Sequence, residues 1–160
     1  MTISNECIKI FKKAIKDYHV FDSVDQELKN PFSDNEFFKK NNLTKTDLKN
    51  LGLLSERGNF LFKNRIIFPI TNLRNETVGF GGRALDDFGP KYINTAESSI
   101  YRKNRSLYFT SEFLSDLKKK KFVILVEGYF DVIAFNKLGF NNVASPSGTA
   151  LTVQQINLLS

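Results

Sequence analysis

The sequence predicts a mixed α+β region that passes into an α/β one. Apolar stripes at helical spacing, with capping residues ahead of them, mark the first third. Short β-branched and aromatic runs broken by Gly and Asn mark the middle. Over the last 40 residues the order becomes β-α-β-α. The expected division is residues 1–110, short helices with a small antiparallel sheet, and residues 111–160, two parallel strands joined by a right-handed helical crossover.

The elements follow in order. Ser4 can cap a helix with Ile8, Phe11, Ile15 and Tyr18 on one stripe, and Ser33 to Glu36 has capping-box spacing ahead of Phe37 and Phe38. Thr44 can cap a short helix through Asp47 and Leu48, with Gly52 near its stop. NFLF at 59–62, RIIFPI at 65–70 and ETVGFGGRA at 76–84 read as strands, with turns at Gly58-Asn59 and Asn72–Asn75. Pro69 places its strand at an edge or bulge. Gly79, Gly81 and Gly82 around Phe80 suit a bulge or a close approach of backbone or ligand. Gly89 to Asn94 reads as a polar, basic loop, and a helix is expected over 111–120. Strand 122–126 should be covered on both faces, with a helix from Tyr129 to Leu138 stopped by Gly139, a strand at 141–145, and a helix capped by Thr152 with Gln155.

Composition excludes several classes. Cys7 is the only cysteine, so neither an internal disulfide nor a cysteine-based zinc site can form, and a reducing, cytoplasmic setting is expected. His19 has no second His or Cys at metal-binding spacing. No apolar run reaches the roughly 20 residues of a membrane span, and no signal-peptide pattern opens the chain. The net charge of +6 is a mild pointer to a polyanion partner. Seven basic and two acidic residues fall between Ile100 and Lys121, although Lys118–Lys121 reads as a solvated helix end that suits the dipole.

The most telling stretch is VILVEGYFDVIAF at 123–135. An apolar strand ends on a carboxylate, Glu127, followed by Gly128, with Asp131 in the first turn of the next helix. In open parallel sheets, function gathers beyond the carboxyl ends of strands. Oxygen ligands of this kind suit Mg²⁺, which keeps several waters and takes few protein carboxylates. The alternative is that Glu127 caps the helix and Asp131 complements its dipole; the spacing favours this for Asp131 and leaves Glu127 open.

With the neighbouring segments added, VEGYFDVIAF and NNVASPSGTALTVQQINLL resemble the opening of a Toprim domain. Upstream, RxxFPI, GFGGR, PKYxN and EGYxDV stand in one order, and the chain resembles the RNA polymerase core of bacterial DnaG-type DNA primases over roughly residues 50–160. The resemblance implies synthesis of short RNA primers on single-stranded DNA by metal-dependent nucleotidyl transfer. It implies Glu127 and Asp131 as acidic catalytic positions, with Glu127 a metal ligand for Mg²⁺ or Mn²⁺. It implies Arg83, Lys91, Asn94, Lys103 and, less directly, Arg65 as contacts to nucleotide or nucleic acid. Each of these basic residues has the alternative of a solvated strand or loop charge. Tyr92 suits either stacking on a base or core packing.

The expected partners are template, nucleoside triphosphates and primer, with a replicative helicase reached through a C-terminal region absent from the sequence, and no membrane. The setting would be a bacterium or an organelle of bacterial descent. Zinc would belong to an N-terminal module, also absent. A complete Toprim domain carries a later Asp-x-Asp pair supplying further metal ligands, and Ser160 comes before it. The chain is therefore expected to be a truncated piece, inactive in primer synthesis by itself. Two competing readings are another Toprim protein, a topoisomerase or repair nuclease, and a nucleic-acid-binding module without catalysis.

Overall fold

The computed structural model describes residues 44–159 apart from 88 and 149. The helices expected at Ser4 and Ser33, together with Cys7 and His19, lie outside the described residues. The described residues fall into two compact units, one of those up to 69 with those of 79–100, and the other of 70–78 with those from 101 on.

In the first unit, α1 (Lys45–Asn50) starts where the sequence places it. The Thr44 hydroxyl accepts the Asp47 N–H at 3.1 Å, and the Asp47 carboxylate accepts the Thr44 N–H at 2.9 Å, a reciprocal capping box. The Thr44 hydroxyl, donating to the same carboxylate at 2.6 Å, and the Thr44 N–H together hold the Asp47 carboxyl below the usual carboxylate range. Gly52, at φ +68°, turns the chain out of the helix, and a Cβ there would also stand 2.8 Å from the Ala96 backbone nitrogen. Leu48, Leu53, Leu54, Phe62, Ile67 and Phe80 form the core of this unit.

NFLF is not a strand. Phe60 makes a single antiparallel bridge to Leu54, and residues 61–64 are turns. The aromatic run that suggests a strand instead serves to bury side chains from a tight corner: Phe62 is fully enclosed, and Asn64 takes φ +55° to re-enter the sheet. The turn at Gly58-Asn59 forms as expected.

The sheet runs β1 (Arg65–Thr71), β2 (Thr77–Ala84), β3 (Tyr92–Asn94), in that spatial order. Pro69 sits in β1, an edge strand, where a missing N–H is tolerated. Asn72 builds the β1–β2 turn: its side-chain oxygen accepts from Arg74 and Glu76 N–H, and Asn75 adopts φ +60°. The loop expected at 91–94 is a strand over Tyr92–Asn94, antiparallel to β2 with Gly81 opposite Asn94, Gly82 opposite Ile93 and Arg83 opposite Tyr92. A polar sequence is compatible with pairing when its partner supplies the backbone groups.

In the second unit, α2 (Phe113–Lys120) ends on Lys121 in the left-handed region, and β4 (Ile124–Leu125), α3 (Tyr129–Lys137), β5 (Val143–Ala144) and α4 (Val153–Asn157) give the expected β-α-β-α order. β4 and β5 are parallel, Ile124 opposite Val143 and Leu125 opposite Ala144. β4 is shorter than the expected 122–126 and is not covered on both faces; Leu125 is 43% exposed. Its start is taken over by a side chain: the Asn142 amide donates to the Phe122 carbonyl at 3.0 Å. Phe109, Phe113, Leu107 and Ala144 form the core of this unit, with Phe109 stacked on Phe113. Among the described residues, no helix is long and apolar enough to cross a membrane.

Gly82 sits at a close approach within the sheet. A Cβ there would lie 2.7 Å from the Phe62 ring and 3.2 Å from Arg65 Cδ. Gly82→Ala is expected to lower stability by about 1–3 kcal/mol, read as a lower urea midpoint with an unchanged m-value.

Candidate functional site

The residues singled out by the sequence fall into two groups, one in each unit. Arg65, Arg83, Lys91 and Asn94 belong to the first; Lys103, Glu127 and Asp131 belong to the second.

The first group is built on the β2–β3 hairpin. Successive side chains in a strand alternate faces. Phe80, Gly82 and Ile93 take the core face, against Phe62. Arg83, Tyr92 and Asn94 therefore take the other, with Gly81 opposite Asn94. The pairing continues one residue further, as the Ala84 N–H donates to the Lys91 carbonyl at 2.9 Å. Tyr92 is 45% exposed and Lys91 is exposed, whereas Arg83 and Asn94 are half-buried. Arg65 is placed differently. It is buried, its aliphatic stem lies over Gly82, and its guanidinium donates to the Pro90 carbonyl at 2.8 Å. That bond ties β1 to the residue just before Lys91.

In the second group, Glu127 is exposed two residues beyond the carboxyl end of β4. Asp131 is exposed and its Oδ2 accepts the Gly128 N–H at 2.9 Å. This is half of a capping box, glycine having no side chain to complete it, and it satisfies one of the free donors at the start of α3. The alternative role the spacing favours for Asp131, a helix-terminal one, is thus present in the geometry. Lys103 opens a 3₁₀ turn, Lys103–Arg105, that α4 grips. The Gln155 amide donates to the carbonyls of Lys103 at 3.0 Å and Ser106 at 2.8 Å, and the Thr152 hydroxyl donates to that of Asn104 at 2.7 Å.

Residues the sequence reading did not single out as functional surround Glu127. Ser145, fully buried, donates its hydroxyl to the Glu127 carbonyl at 2.8 Å and accepts the Ser147 N–H at 2.9 Å. Tyr129 packs edge-on against Tyr108, ring centroids 4.8 Å apart. Burial pushes the Tyr129 phenol up to about 12, and Tyr108 is raised as well, so both stay neutral at physiological pH. The Thr152–Gln155 spacing is visible in sequence as a cap, but nothing there marks Gln155 as a buried clasp or Ser145 as a bridge.

Among the described residues, no group of three or more His, Cys, Asp or Glu side chains converges as a ready-made metal cage. Mg²⁺ does not require one, since it is commonly held by one or two carboxylates together with water and substrate phosphates. Glu127, exposed at a strand end, fits one such ligand; Asp131 fits less well because one oxygen is engaged by the Gly128 N–H.

Comparison with known proteins connects these parts. Residues 9–114 match the model of the N-terminal domain of the DNA primase catalytic core, and residues 121–160 match that of a Toprim domain. The DNA primase of Rickettsia bellii is 40% identical over 127 residues, which are 77% of this chain and 21% of that protein. The structure of the Aquifex aeolicus primase, comprising its zinc-binding and RNA polymerase domains, matches with a TM-score of 0.80 at 30% identity, covering 99% of this chain and 46% of that one. The RNA polymerase domain of Mycobacterium tuberculosis DnaG, solved with a double-stranded DNA oligomer bearing a 6-nucleotide overhang, matches with a TM-score of 0.71 at 28% identity, covering 78% and 40%. The chain spans about a fifth of the length of the first curated relatives it matches. It belongs to the DnaG-type DNA primase catalytic core family, with the N-terminal core domain followed by Toprim sequence.

Proposed function

We propose that the chain serves the synthesis of short RNA primers on single-stranded DNA, by metal-dependent transfer of a nucleotide from a nucleoside triphosphate. The observation that carries this reading is Glu127: an exposed carboxylate at the carboxyl end of a parallel strand, in a chain of the primase family. The reaction joins the 3′-oxygen of one nucleotide to the α-phosphate of the next and releases pyrophosphate. Bound Mg²⁺ or Mn²⁺ would neutralise phosphate charge and ease formation of the attacking alkoxide.

This chain's own residues divide the remaining work. Glu127 is the ligand offered to the ion. Asp131 keeps the start of α3 closed and so keeps Glu127 at its mouth. Arg83 and Lys91 hold phosphate groups, Arg through its planar fork and Lys as a point charge. Asn94 offers an amide on the same face as Arg83, and Tyr92 an exposed ring on which a base can stack. Arg65 acts through Pro90, setting the backbone that leads into Lys91. Lys103 contributes positive charge from the turn that Gln155 secures. The DNA in the Mycobacterium tuberculosis complex supports a nucleic-acid substrate for this fold.

In the complete polypeptide that carries these residues, Glu127→Gln is expected to reduce primer synthesis by roughly 10²-fold or more. Template binding should stay within about twofold, because phosphate contacts dominate affinity. Equal loss of both, or synthesis that survives, would argue against a catalytic carboxylate. Arg83→Ala and Lys91→Ala are each expected to weaken binding to all single-stranded sequences alike. Each should make the slope of log affinity against log salt shallower by about 0.7, measured by fluorescence anisotropy between low and moderate salt. Binding that ignores Mg²⁺ and is untouched by Glu127→Gln, with no synthesis, would identify a binding module instead.

A further inference from the structure

The β4–β5 ladder stops at a place chemistry dictates. The Ile124 N–H donates to the Asn142 carbonyl at 2.9 Å, and the Val126 N–H to the Ala144 carbonyl at 3.0 Å. In a parallel pair the next rung runs the other way, from the N–H of residue 146 to the Val126 carbonyl. Residue 146 is proline and has no N–H. The two strands would part here, one residue before the one that carries the carboxylate.

A side chain takes over. Ser145 is fully buried, and its hydroxyl donates to the carbonyl of Glu127 itself, one residue beyond the missing rung. The same oxygen accepts the Ser147 N–H. The Ser145 backbone is anchored in turn by two hydrogen bonds with Tyr108, at 2.8 and 2.9 Å. The hydroxyl donates one bond and accepts another, so its orientation is fixed. We infer that Ser145 is the positioning residue for Glu127: its hydroxyl replaces the ladder bond Pro146 cannot make and holds the Glu127 peptide where its carboxylate meets a divalent ion. This rests on the metal reading of Glu127 given above.

The test uses the complete polypeptide that carries these residues, titrated with Mn²⁺, the free ion being followed by its electron paramagnetic resonance signal. The unsubstituted chain is expected to bind, Glu127→Gln to lose binding, and Ser145→Ala to bind about 10-fold more weakly, as loss of a supporting hydrogen bond does at metal sites. Adding Pro146→Ala to Ser145→Ala returns a backbone donor to the ladder and should recover most of the loss, which a general loosening of the fold would not do. Wild-type affinity in Ser145→Ala, or no recovery in the double variant, overturns the positioning role while leaving the metal reading intact. An unsubstituted chain that binds Mn²⁺ no better than Glu127→Gln overturns the metal reading itself. Should Ser145→Ala fail to fold, amide exchange in the unsubstituted chain decides: slow exchange at the Ser147 N–H supports the bridge, and exchange at the rate of an open loop refutes it.

Discussion

Two rungs of parallel pairing between β4 and β5 carry the acidic end of this molecule. They bring the start of α3 and the 145–148 loop together at one mouth, and everything there is arranged around where the ladder stops. At one end Asn142 is fully buried and works in both directions, its amide donating to the Phe122 carbonyl and its oxygen accepting from Lys120. At the other, Pro146 and Ser145 replace a backbone bond by a side-chain one. A strand so short, closed by polar side chains at both ends, presents a charge without burying it, and so avoids the desolvation cost of an enclosed carboxylate.

The basic group depends on a constraint of a different kind, space. Phe62 and the stem of Arg65 occupy the volume that any side chain at position 82 would need. The close approach lets Phe80 and Ile93 pack with Phe62 on one face of the hairpin and leaves the opposite face to Arg83, Tyr92 and Asn94. Strand alternation does the sorting: two residues that differ by one position in sequence, Gly82 and Arg83, end up one in the core and one outside it.

Several polar residues turn out to hold others in place. Arg65 clasps the Pro90 carbonyl, Asp131 closes a helix start, and Gln155 grips the turn that carries Lys103. Each satisfies backbone groups that would otherwise be left without partners where strands and helices end. In sequence these side chains look like the ones beside them that face solvent, because a carboxylate, an amide or a guanidinium reads the same whether its partner is a phosphate or a peptide carbonyl.

What the sequence determined by itself is whatever local chemistry controls. The Thr44 and Thr152 caps, the turns at Gly58 and Asn72, the edge position of Pro69 and the β-α-β-α order all follow from residues within a few positions of one another. The placement of Glu127 at a strand end is equally legible, since an apolar run followed by a charge and a glycine leaves few other arrangements. Tertiary structure decided the rest. NFLF folds into a corner because Phe62 finds its partners in Ile67 and Phe80, and Tyr92–Asn94 becomes a strand only because β2 supplies its hydrogen bonds. Ser145 meets Glu127 across 18 residues, and Gln155 meets Lys103 across 52. Such contacts depend on which distant groups the fold brings within reach, and no periodicity or spacing along the chain encodes that.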